Sequence, residues 1–130
     1  MKSLYAPDYV VLVVDDLERS LAFYVGQLGL HLGHRAGPYA QLHTGRSRVA
    51  LYERGALAAS LEQALRPPDS AAPGFVLGFK VEDVDAAWQE LLAAGVEGVV
   101  APREQPWGQR SAHLRDPDGH LLELIEEPAD

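Results

Sequence analysis

The 130-residue chain contains no cysteine, so neither disulfide cross-links nor thiolate chemistry is open to it. Long apolar runs are missing as well. The longest extends from Tyr9 to Val14, far short of the roughly 20 residues that a membrane-spanning helix needs, so no membrane partner is expected. The opening Met1-Lys2-Ser3-Leu4-Tyr5-Ala6-Pro7-Asp8 has no apolar stretch of secretory type, which makes a cytoplasmic address the expectation. Cations are few: eleven Lys and Arg stand against nineteen Asp and Glu, the formal net charge is -8, and no basic run occurs. That balance argues against gripping a phosphate backbone, and so against nucleic acid as a partner. Nor is there a phosphate-cradling glycine loop, a dinucleotide fingerprint, or a serine and histidine in a nucleophilic context.

What is present is ordinary for a globular protein, with 47% hydrophobic and 23% charged residues. A chain of this length buries roughly two-thirds of its unfolded surface, and one domain over 1-130 is the first expectation. Within it the sequence repeats. Val14-Asp15-Asp16-Leu17 and Val81-Glu82-Asp83-Val84 match at an offset of 67. Before each lies a strand-like run, 9-14 and 75-81, rich in branched and aromatic residues. After each comes a helix. Asp16 can cap the first, with Leu17, Leu21, Tyr24 and Leu28 at helical spacing before Gly29; Asp83 can cap the second, with Val84, Trp88 and Leu91 before Gly95.

Short strands then follow at roughly 31-36, 39-43 and 47-53, and again at 97-100, 110-115 and 120-126. The fold class is therefore α+β, with two β-α-β-β-β modules at about 5-54 and 74-127. A linker at about 55-73 joins them and carries a short helix around Ala56 to Leu65. A unit of this size cannot bury its sheet alone, so two copies are expected to pack within the chain or across a dimer.

Two segments carry a family resemblance. They are Val13-Val14-Asp15-Asp16-Leu17-Glu18-Arg19-Ser20-Leu21-Ala22-Phe23-Tyr24 with Leu28-Gly29-Leu30, and Asp116-Pro117-Asp118-Gly119-His120-Leu121-Leu122-Glu123-Leu124-Ile125. Together they resemble the vicinal oxygen chelate superfamily, which includes glyoxalase I, extradiol dioxygenases, fosfomycin-resistance enzymes and bleomycin- or mitomycin-binding proteins. Gln105-Pro106-Trp107-Gly108-Gln109-Arg110 is most similar to the drug-binding branch. The resemblance implies a curved mixed sheet and a homodimer.

It also implies where a metal would sit. Family enzymes place ligands near the start of each module's first strand, here Tyr9 and Val76, and on each last strand, here Leu51 and Glu123 at an offset of 72. Of these only Glu123 is a good divalent-ion ligand, since valine and leucine have no lone pair and neutral tyrosine is a poor donor. No metal, no cofactor and no catalytic residue are therefore expected, and the chain reads as an antibiotic-like small-molecule binder. The alternative is a metal-dependent lyase, isomerase or dioxygenase that draws on Glu123 with His113 or His43.

The expected ligand contacts are Tyr9, Tyr39, Leu51, Val76, Trp107, Ser111, His113 and Glu123. Glu123 alternates with Leu121 and Ile125 on one strand face; it either meets the ligand or pairs with a nearby Arg or Tyr. The resemblance places Ser111 and His113 beside it, yet a histidine hydrogen-bonded within the sheet is the plain alternative. Trp107 lies in a Pro-Gly loop and either stacks on a planar ligand or covers a core edge. Trp88 belongs to its helix stripe and reads as core.

Overall fold

The computed structural model describes residues 9-67 and 74-128. The chain divides into two compact units, Met1–Pro67 and Pro68–Asp130, and the segment 68-73 that completes the expected linker lies outside the described residues. The first unit contains β1 (Tyr9–Val14), α1 (Leu17–Leu21), β2 (His31–Ala36), β3 (Tyr39–Thr44), β4 (Ser47–Glu53) and α2 (Arg54–Leu61). The second contains β5 (Val76–Lys80), α3 (Val84–Ala93), β6 (Glu97–Glu104), β7 (Arg110–Arg115) and β8 (Leu121–Glu126).

Each unit holds a four-stranded mixed sheet, in the order β1-β4-β3-β2 and β5-β8-β7-β6. The first and last strands of each unit pair in parallel, and the remaining pairs are antiparallel. The helix that follows each first strand begins at the aspartate identified from sequence. Asp16 accepts from the Arg19 amide at 3.1 Å and Asp83 from the Ala86 amide at 3.0 Å, each satisfying an amide that the helix start would otherwise leave unpaired.

The apolar alternation of the strands turns one face of each sheet into core. In the first unit Leu12, Val14, Ala40, Leu42, Val49 and Leu51 are buried together with Leu17, Phe23 and Tyr24 of the helical segment. In the second, Ala112, Leu114, Leu122 and Leu124 are buried with Val84 of α3. Trp88, expected in the core, is half-buried and packs against β6. A Cβ on Gly98 would lie 2.4 Å from the edge of its indole, so β6 must carry glycine there.

Three elements depart most from the expected boundaries. The strand expected over 97-100 runs on to Glu104, paired with Arg110 of β7. The first helix does not continue as an α-helix to Leu28; residues Ala22–Gln27 form a π-helical turn, closed by the Leu28 amide on the Phe23 carbonyl at 2.9 Å. The wider turn accompanies burial of both neighbouring rings, Phe23 and Tyr24, packed edge to face at 4.9 Å. The helix expected within the linker starts at Arg54 and ends at Leu61, because Glu62 takes a left-handed conformation, φ 55°, that stops it.

Candidate functional site

The face of the second sheet turned away from α3 carries the chemistry. Whether His113 and Glu123 share that face depends on the turn between β7 and β8, since a slip of one residue would reverse every side chain. The turn is pinned by the buried Asp116 carboxylate, which accepts from the amides of Asp118 at 3.0 Å and His120 at 2.7 Å. Gly119, at φ 88°, supplies the left-handed corner. The resulting register sets His113 directly opposite Glu123, and Gly78 of β5 opposite Glu123 on its other side.

His113 Nε2 stands 3.3 Å from Glu123 Oε2, with side chains 16% and 27% exposed. His113 Nδ1 is buried and has no hydrogen-bond partner among the described residues. One row along, Ser111 is buried and its Oγ accepts from Gln105 Nε2 at 2.8 Å, which leaves the hydroxyl proton to donate elsewhere. Val76 is exposed on the same strand as Gly78, two residues before it. The structure thus gathers Ser111, His113, Glu123 and Val76 on one sheet face. Gly78 and Gln105 join them although neither was singled out from sequence; no spacing signals a glycine that is useful for the space it leaves.

Trp107 lies in the turn after β6 and is 66% exposed. Its Nε1 donates to Gln109 Oε1 at 2.8 Å, and Gln109 Nε2 donates in turn to the Glu127 carboxylate at 3.1 Å. The indole is held by its polar edge while its faces stay accessible, which is the disposition a stacking platform needs.

The remaining expected residues belong to the first unit. Tyr9, at the start of β1, is exposed beneath the Arg48 guanidinium, 5.6 Å from the ring centre. Tyr39 meets Tyr52 edge to face at 5.3 Å and accepts a hydrogen bond from Gln41 at 2.7 Å. His43 is exposed on β3, in register with Arg48 and His31. Leu51 requires a correction. It is fully buried on the helix-covered face, and the residue in Glu123's register position is Ala50, opposite Val11 and Gln41. Ala50 lies nine positions after Gln41 and Glu123 ten positions after His113, so the second connection holds one more residue and the offset on the last strand is 73, not 72.

The cation site that the resemblance implies is not matched by these donors. Glu123 has one imidazole beside it, Ala50 and Val76 offer none, and the Tyr9 ring is engaged by Arg48. Among the described residues no cluster of three or more His, Asp or Glu side chains forms a metal-binding group. Away from this face, Arg110 donates from Nε and Nη2 to both oxygens of Asp85 at 2.7 and 2.8 Å, tying β7 to the first turn of α3. That hydrogen bond, followed by burial acting the other way and the guanidinium charge, holds the Asp85 carboxyl below the usual carboxylate range.

Known proteins agree with this architecture. The uncharacterized protein YraH of Bacillus subtilis strain 168 is 33% identical over 119 residues, covering 88% of this chain and 93% of its own. A bleomycin resistance protein of Geobacillus stearothermophilus is 25% identical over 122 residues, covering 89% and 92%. The crystal structure of a protein of unknown function from Agrobacterium tumefaciens strain C58 superposes with a TM-score of 0.79 at 30% identity, over 98% of this chain and 97% of that one. The family profile matches residues 6–124, nearly the whole length, and with the fold and these relatives it establishes that the chain belongs to the Glyoxalase/Bleomycin resistance protein/Dioxygenase superfamily.

Proposed function

We propose that this protein is a cytoplasmic, metal-free binding protein that sequesters a planar or amphipathic small molecule, antibiotic-like in character, and that it works as a homodimer. The observation that carries the reading is the donor set around Glu123: a half-buried carboxylate with one imidazole partner is a polar anchor for a ligand and too sparse for a catalytic metal. Ser111 adds a second polar anchor, Val76 adds apolar surface, and Trp107 presents an aromatic face. The likeness to bleomycin resistance proteins supports an antibiotic-like ligand. Exposed apolar side chains along the edge strand β1, Tyr9, Val10 and Val11, are surface that an interface between copies would cover.

The test is calorimetry or thermal unfolding against bleomycin-type glycopeptides, mitomycins and other aromatic natural products. A ligand at about 100 times its dissociation constant stabilises the folded state by about 2.7 kcal/mol. Absence of stabilisation across the panel overturns the reading. So does near-stoichiometric Zn, Ni, Mn or Fe in protein purified without chelator, lost together with an activity in Glu123→Ala; that outcome replaces sequestration with a metal-dependent lyase, isomerase or dioxygenase. Sedimentation as a monomer at micromolar concentration removes the dimer.

A further inference from the structure

We propose that Glu123 Oε1 is the docking point for a positively charged group, a protonated amine or a guanidinium, on the bound molecule. The inference rests on the binding reading above and narrows it to cationic ligands.

The two oxygens of this carboxylate differ. Oε2 faces His113 Nε2 at 3.3 Å, and this is the one polar partner of the side chain among the described residues. Oε1 has none. The charged groups on the same sheet face are committed elsewhere or stand off. Arg115, two residues from His113, donates to Glu97 at 2.9 Å, while Lys80, two residues beyond Gly78, and Arg103, exposed on β6 in register with Ser111, form no ion pair with Glu123. An anion lifted partly out of water with a single imidazole beside it is under-compensated, and a cation is the ligand group that restores the balance most strongly.

Access to Oε1 comes from an absent side chain. A Cβ on Gly78 would sit 3.7 Å from Oε1 and 2.8 Å from Ile125 Cδ1, so any larger residue would crowd the approach. Cations are also favoured at long range by the chain's net charge of -8, whereas a carboxylate ligand would meet Glu123 with like charge.

Three probes of matched shape separate these contributions: 2-phenylethylammonium, 2-phenylethanol and phenylacetate. Each is titrated into the full chain while the amide resonances of Gly78, Ser111 and Glu123 are followed by NMR. The ammonium is expected to bind about tenfold more tightly than the alcohol, the gain from one charge-assisted hydrogen bond, with phenylacetate weakest. Glu123→Gln should abolish the preference for the ammonium, and an amide spectrum matching that of the native chain away from β7 and β8 reports that the variant is folded. Equal binding of ammonium and alcohol, a preference for phenylacetate, or an ammonium preference that survives in Glu123→Gln overturns the inference while the binding function stands. Failure of all three probes overturns it as well, and the natural-product panel then decides the binding function separately.

Discussion

The two units share strand order, pairing pattern and capped helix, yet their sheet faces opposite the helix carry different chemistry. The central row of the first reads Val11, Ala50, Gln41; the matching row of the second reads Gly78, Glu123, His113. Three side chains change, and a face whose polar contacts are between its own tyrosines, arginine and glutamine becomes one that sets a carboxylate beside an imidazole. A fold built twice from one pattern therefore fixes where chemistry can stand and leaves its nature to single positions.

The sharpest way to break this comparison is to exchange the faces that matter for stability and for binding. Leu51, one residue beyond the position equivalent to Glu123, belongs to the core, and Leu51→Ala should cost about 2–5 kcal/mol in denaturant unfolding. Glu123→Gln should cost under about 1 kcal/mol, because it keeps an acceptor beside His113. If the two costs came out alike, the assignment of Leu51 to core and Glu123 to a site would be wrong.

A smaller effect should follow from the turn that contains the extra residue. Asp116→Ala removes the acceptor of two amides within a buried turn, and a loss of about 1–3 kcal/mol is expected. Its more telling consequence is register: nuclear Overhauser contacts between His113 and Glu123 should weaken. The equivalent turn of the first unit, between Thr44 and Ser47, holds only two residues and is closed by the Thr44 hydroxyl, which donates to the Ser47 carbonyl.

The smallest effect concerns the helix starts. In both units an acid in the first helical turn binds a sheet arginine, Glu18 with Arg35 and Asp85 with Arg110, but the arginine comes from β2 in one and β7 in the other. Both pairs are solvent-exposed and contribute little at neutral pH. Arg110 lowers the pKa of Asp85 in the folded state below its ordinary 3.8. A lowered folded value means that the contribution is present above the unfolded pKa and is lost as pH falls through the folded one. The small melting-temperature difference between the native chain and Asp85→Asn should therefore close below about pH 4 and persist at pH 7.

Much of this was legible in the residues. The repeat at offset 67 located both β-α units, Asp16 and Asp83 announced their helices, and the boundaries of β2, β4 and β7 match the expected ones. The site was partly legible: Glu123 stood out as a carboxylate in an apolar strand. Leu51 was misplaced because the alignment of the last strands counted residues through turns of unequal length, and a strand's side-chain period of two turns one miscounted residue into the opposite face. The π-helical turn was hidden because Leu21, Tyr24 and Leu28 satisfy ordinary helical spacing, while the choice of a wider turn depends on where two rings find room.

The order of elements and the caps were written in the chain itself, since each depends on residue type and short-range spacing. Which side chains face one another was decided by tertiary structure alone. Pairing His113 with Glu123, clearing space at Gly78 and leaving Oε1 without a partner all follow from strand register and from what neighbouring strands lack, and neither is a property of any local stretch of sequence.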